Sequence, residues 1–243
     1  MTETVASEDR FLGGTVLVRQ PLTGFRGGLD AVMLAAAVPA QSGEESLEMG
    51  AGAGTASLCL AKRVAGARVR GLEIDPALVE LAQANAAAND LAERLHFAAA
   101  DIFALPACYR RPFDHVLCNP PFHDEAGEAP PDPARARALQ DKGRLREWLT
   151  AGMKRTVSGG TFTMILRADR LGEALAALPE RGVAVFPLWP KAGVSAKRVI
   201  LQARQGSRAP LQMLAGLVLH EPDGVYTADA DAVLRGRGLS VSF

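Results

Sequence analysis

The stretch "LEMGAGAGTA" (47–56) constrains this chain more tightly than any other. Gly50, Gly52 and Gly54 stand between an apolar, strand-like run and a helix-like one. The backbone must turn sharply there, and a ligand can approach it without meeting a Cβ. A helix that starts where such a turn ends points its unbonded N–H groups at whatever binds. The spacing is GxGxG followed by Thr55, whereas a dinucleotide fingerprint asks for GxGxxG or GxGxxA, so NAD is disfavoured.

The surrounding pattern supplies the scaffold. Strand-like runs at 45–50, 67–74, 94–100 and 113–118 alternate with helix-like runs at 55–65 and 76–90. Pro76 opens the second of these helices, at the position where a missing N–H costs nothing. A helix at 145–157, closed by Gly159 and Gly160, leads into strands at 161–167, 183–189, 198–204 and 211–220. Strands separated by helices predict an α/β fold with a Rossmann-like, doubly wound, mainly parallel sheet. The short link "QGSRAP" predicts a hairpin between the last two strands, and so an antiparallel edge. At 243 residues, 48% hydrophobic and 22% charged, the chain has the size and composition of one globular domain spanning 1–243, with 1–40 as an extension ahead of the core. The N-terminus is acidic and polar, unlike a signal peptide. Cys59, Cys108 and Cys118 form no CxxC pair, which argues against a disulfide framework or a zinc site. The expectation is a cytoplasmic protein without a metal.

Glu48, just before the glycines, fits a pyrophosphate ligand poorly. It suits a cationic ligand such as the amino group or sulfonium of S-adenosylmethionine. Glu73, at the end of the second strand of this unit, stands where a carboxylate accepts hydrogen bonds from ribose hydroxyls. Asp101 follows the third strand and reads equally as an acceptor for an adenine amine or as a turn cap.

"DHVLCNPPFHD" (114–124) places two prolines directly after an apolar strand. Proline donates no hydrogen bond and restricts its neighbour, so a rigid, irregular backbone is required here. At the carboxyl edge of the sheet, the Asn119 side-chain oxygen and the Pro120 carbonyl can both accept from one planar –NH2 group, with Pro121 stiffening the turn. Such a nitrogen has a delocalised lone pair, and two acceptors help it pyramidalise towards a methyl donor. Phe122 would stack on the flat acceptor.

Together "LEMGAGAG", "GLEIDPALVELAQANAAAND", "DIF" and "FDHVLCNPPF" resemble the class I S-adenosylmethionine-dependent methyltransferases that modify planar exocyclic amines. With "FLGGTVLVRQPLTGFRGGLDAVMLAAAV" (11–38), "WPKAGVSAKRVILQ" (189–202) and "LVLHEPDGVYTADADAVL" (217–234), the chain resembles the bacterial tRNA(Val) anticodon-loop adenine-N6 methyltransferases, within the small-domain methyltransferases. The resemblance implies S-adenosylmethionine as cofactor, Arg26 and Asp30 near it, Glu73 on its ribose, and Asn119, Pro120, Pro121 and Phe122 around the target base. "NPPFH", with His123, also resembles ribosomal-RNA guanine-N2 methyltransferases, and protein glutamine-N5 methyltransferases share the NPP chemistry. These acceptors, and a cofactor-binding module without catalysis, stay open as alternatives.

A net charge of zero gives no global signal for nucleic acid. Residues 191–210, however, hold Lys191, Lys197, Arg198, Arg204 and Arg208 with no acid, and a second basic stretch spans 131–146. Both are expected to flank the catalytic edge and follow the phosphates of an RNA substrate, tRNA by the resemblance.

Overall fold

The computed structural model describes residues 6–23, 26–121 and 144–241. β1 (Ala6–Phe11) and β2 (Val16–Pro21) form a small antiparallel sheet, followed by helix α1 (Leu29–Ala37). The core then runs β3 (Glu45–Met49), α2 (Thr55–Arg63), β4 (Arg68–Glu73), α3 (Pro76–Ala88), β5 (Leu95–Ala99) and β6 (Phe113–Cys118). After it come α4 (Leu145–Lys154), β7 (Thr156–Arg167), α5 (Leu171–Leu175), β8 (Val183–Lys191), β9 (Arg198–Arg204), β10 (Gln212–Met213), β11 (Leu217–His220) and α6 (Ala228–Leu234).

The main sheet has the order β5-β4-β3-β6-β7-β9-β8-β10, with β11 also beside β8. β3 to β7 are parallel and β9 runs antiparallel between β7 and β8, so the expected Rossmann-like sheet with an antiparallel hairpin is present. Strand side chains alternate between the two faces. Leu117 and Ile165 therefore join the core under α1, α2 and α3, while Val116, Cys118, Phe162 and Met164 join the core under α4 and α5. Both faces are covered, which is why β6 is buried along nearly its whole length.

The local expectations need correction in two places. The hairpin is β8–β9, turning through 192–197, rather than 198–204 with 211–220. β9 is paired on both sides, so the following segment crosses back to β8 and pairs with it in parallel as two short strands. The break between them falls opposite Pro187, which has no N–H to donate to a ladder. Gly159 and Gly160 do not close the helix either. α4 ends at Lys154 and the two glycines lie inside β7, where the register slips from Phe113↔Thr156 to His115↔Thr161. Gly159 has φ 82°, and a Cβ on Gly160 would stand 2.3 Å from the Asp114 carbonyl oxygen. A bulge is what these residues permit.

Candidate active site

The parallel strands β3, β4, β5 and β6 all end on one edge of the sheet, and the residues singled out in the sequence leave from those ends. Met49 pairs with Cys118, so Gly50 and Asn119 exit neighbouring strands, about 5 Å apart by strand spacing. Gly50, Gly52 and Gly54 all have positive φ (72°, 54° and 85°), and Gly54 caps α2. A Cβ at Gly50 would come within 2.9 Å of the Trp148 ring, and one at Gly54 equally close to Phe97. At Gly52 nothing among the described residues lies within 4 Å. The turn is packed from below and open at its middle glycine. That open side adjoins Glu73, whose Oε2 accepts from the Gly52 N–H at 2.9 Å. Its Oε1 accepts from the Ile74 and Asp75 N–H groups at 2.8 and 3.1 Å. Three backbone donors thus hold the carboxylate at the strand end.

Asp101 is exposed, and its Oδ1 accepts from the Phe103 N–H at 2.8 Å. The turn-cap geometry is present, and Oδ2 is left out of it. Glu48 points from β3 towards α2, on the opposite face from Leu47 and Met49. It is 3% exposed, and its Oε2 accepts from both the backbone N–H and the hydroxyl of Ser57. Burial pushes this carboxyl up to about 8, against the pull of the Ser57 bonds, and the charge of Glu73 adds to the rise.

Asn119 follows β6 directly. Its Oδ1 is buried and has no hydrogen-bond partner among the described residues. A buried amide oxygen without a donor is costly, and nothing among the described residues offsets that cost. Pro120 is buried and Pro121 half-buried beside it. Phe122, His123 and the 131–143 part of the basic stretch lie outside the described residues. Of the other basic residues, Lys191, Lys197 and Arg198 lie on the same edge as Asn119, whereas Arg204 and Arg208 lie at the opposite one, where β9 ends and β10 begins.

Arg26 is ion-paired with Asp9 of β1, and Asp30 accepts from Arg198 Nε at 3.0 Å, tying α1 to the start of β9. Between them, Gly27 presses on the N-terminus of α2: a Cβ there would stand 2.5 Å from Thr55 Oγ1. Gln20 of β2 fixes Gly27 by a reciprocal pair, accepting from its N–H at 2.7 Å and donating to its C=O at 3.0 Å.

Three further residues shape the site and were not singled out in the sequence. Asn85 of α3 bonds both backbone groups of Arg19 and also donates to the Ala53 carbonyl in the glycine turn, at 3.0 Å. Asn89, one turn later, bonds both backbone groups of Leu17. Trp148 lies beneath Gly50 and meets Phe103 edge-on at 5.7 Å. Its indole N–H is buried without a partner among the described residues. Arg144 lies over the other aromatic of the pair, 3.5 Å from the Phe103 centroid. The one available signal for Trp148 was rarity, since the chain has only two tryptophans.

The family model described as "Methyltransferase small domain" matches residues 28–146. A crystal structure from Agrobacterium tumefaciens, described as a "predicted O-methyltransferase, protein Atu636", superposes with a TM-score of 0.72 at 27% identity, covering 86% of this chain and 97% of that one. Fold, glycine turn and family match together define a class I S-adenosylmethionine-dependent methyltransferase, and S-adenosylmethionine is the cofactor such a fold holds. The open face at Gly52 beside a pinned Glu73 fits that group. Within the class, the chain is 36% identical over 154 residues to a tRNA1(Val) (adenine(37)-N6)-methyltransferase of Porphyromonas gingivalis, covering 60% of each. It is 28% identical over 219 residues to the protein of the same name from Yersinia enterocolitica, covering 85% of this chain and 83% of that one.

Proposed function

We propose that this chain transfers a methyl group from S-adenosylmethionine to the exocyclic N6 amine of an adenine in tRNA. The observation that carries the reading is the buried Oδ1 of Asn119, unpartnered among the described residues and held by a double-proline turn at the carboxyl edge of the sheet. The names of the sequence relatives support the acceptor and the RNA class.

The bound cofactor supplies an electrophilic methyl group on a sulfonium. Asn119 Oδ1 and the Pro120 carbonyl accept the two hydrogens of the acceptor amine, turning its lone pair out of conjugation and towards that methyl. Pro121 keeps the two acceptors convergent, and Phe122 stacks on the base. The nitrogen becomes acidic once alkylated, so its proton leaves to water without a strong base. Glu73 accepts from the ribose hydroxyls of the cofactor, and Asp101 Oδ2 from its adenine amine. Gly50, Gly52 and Gly54 admit its methionine end, and binding of its cationic groups would draw Glu48, beneath them, from its protonated form towards the carboxylate. Arg26 and Asp30 border the same pocket from the α1 side. Lys191, Lys197, Arg198 and the 131–146 stretch contact the RNA. The Agrobacterium neighbour raises an oxygen acceptor as the second reading, but a hydroxyl offers one hydrogen to a site with two acceptors, whereas an amine offers two.

The test is methyl transfer from labelled cofactor to unmodified total tRNA, with ribosomal RNA and protein extract in parallel, followed by nucleoside mass spectrometry. N6-methyladenosine in the tRNA alone is the expected result. Label in guanosine or protein would leave the catalytic reading standing and overturn the substrate.

A further inference from the structure

β11 runs parallel to β8, which in turn runs parallel to β7 and β6, so the turn that follows β11 stands on the same edge as Asn119. This turn is rigidly built. The Glu221 N–H donates to the Val225 carbonyl at 2.8 Å, the Gly224 N–H to Glu221 at 2.9 Å, and the Thr227 N–H to Leu219 at 3.0 Å. Asp223 Oδ1 accepts from the Val225 N–H at 3.0 Å. Lys191 Nζ, at the end of β8, donates to the Pro222 carbonyl at 2.8 Å and fastens the turn to the sheet.

The turn presents two rings. His220 and Tyr226 are bridged through their backbones, and their rings stack with centroids 4.7 Å apart at 26°. His220 Nδ1 lies 3.2 Å from the Pro190 carbonyl oxygen, which fixes the imidazole. Yet Tyr226 is 40% exposed and its neighbour Val225 63% exposed, with Val194 of the adjoining β8–β9 turn 45% exposed. An aromatic residue held in one orientation but left in solvent gives up the gain it would have from burial.

We propose that the His220–Tyr226 stack is a docking platform for an unpaired base of the RNA substrate, flanking the base that enters at Asn119. The proposal rests on the RNA reading above. Nucleobases are flat and stack on aromatic rings whatever their identity. Counting across β6, β7, β9, β8 and β11, the platform lies four strand spacings from the Asn119 strand, about 19 Å. That is within reach of a short single-stranded segment whose target base has left its own stack. Half-buried Lys191, at the end of β8, and exposed Lys197, in the β8–β9 turn, lie between the two. The turn itself carries Glu221 and Asp223, so its contribution is stacking and not phosphate neutralisation.

The experiment is binding of an end-labelled, unmodified tRNA transcript by fluorescence anisotropy across a salt series. Cofactor affinity by calorimetry and methyl transfer are measured in parallel. Tyr226→Ala is expected to weaken RNA binding about tenfold without changing the slope of log Kd against log salt. Tyr226→Phe should bind within about twofold of wild type. Tyr226→Leu, which keeps apolar bulk for the fold but loses the π face, should follow the alanine variant. All three should keep cofactor affinity. RNA binding unchanged in the alanine and leucine variants, with wild type still methylating tRNA, overturns the platform alone. A wild-type protein that neither binds nor methylates any RNA overturns both readings, and so does a Tyr226-dependent affinity for protein instead.

Discussion

At Glu48 the carboxylate lies beneath the glycine turn, 3% exposed, with Ser57 as its hydrogen-bond donor. Desolvation is the largest influence and raises its pKa from 4.5 to about 8, so the folded chain holds this proton more tightly than the unfolded chain. The stability linked to the proton is fully present below about pH 4.5 and is lost as pH rises towards about 8. Glu48→Gln keeps the shape and an acceptor for the Ser57 N–H but carries no charge to bury. Its unfolding free energy relative to wild type, measured by denaturant titration at a series of pH values, should therefore gain steadily across that window, by on the order of a few kcal/mol in all. A difference that stays flat with pH would remove the buried-carboxyl account. Asn119 makes the complementary case, an acceptor without a donor among the described residues. Asn119→Ala should lower kcat by roughly a hundredfold or more while cofactor affinity stays within a few-fold. Single-turnover kinetics with calorimetry separates the two, and joint loss would mean the residue shapes the cofactor pocket instead. The cysteines follow the same logic of burial. Cys59 is pushed up to about 12 and Cys118 well above its ordinary value, while Cys108 is exposed. Native thiol labelling should therefore modify Cys108 alone, as mass spectrometry would show.

Between elements, the N-terminal hairpin is joined to the core by amides. Asn85 and Asn89 supply donor and acceptor to the outer edge of β2, which otherwise would present unpaired backbone groups. Asn85 alone also reaches the Ala53 carbonyl. Either alanine substitution strands part-buried backbone groups and should cost about 1–3 kcal/mol in denaturant unfolding. Asn85→Ala should in addition weaken cofactor binding, and Asn89→Ala should not. Equal effects on cofactor affinity would show that the hairpin, not the Ala53 bond, is what matters. These amides also mark where the sequence stops being legible. The glycine turn and the double proline announce themselves, because each breaks a strand pattern with residues that have one backbone meaning. Two asparagines one helical turn apart look like an ordinary polar helix face, and their partners lie 66 and 72 residues away. The pairing of β9 was hidden for a related reason. A short link suggests a hairpin, but the choice between neighbouring strands is made by burial of both faces of β9, which local sequence does not carry.

For the molecule as a whole, 27 basic and 27 acidic side chains leave no net field, so the proposed affinity for RNA would have to come from placement. The sheet does the placing: the ends of β6, β8 and β11 and the start of β9 share one edge, and the segments at Arg181 and Arg208 share the other. Part of the charge is compensated locally, as in Arg167–Asp169, Arg170–Glu173 and Arg198–Asp30. Lys197 is exposed on the carboxyl edge of the sheet and Arg208 is exposed on the opposite one, which makes a matched pair. Lys197→Glu should weaken tRNA binding and lower the slope of log Kd against log salt by about one, or somewhat more for a full reversal of charge. Arg208→Glu makes the same change in net charge and should leave both affinity and slope near wild type. The two variants thus distinguish a bound phosphate from a change in overall charge. If both weaken binding alike, the RNA is held by diffuse attraction to the whole surface, and the carboxyl edge loses its standing as the track along which the substrate lies.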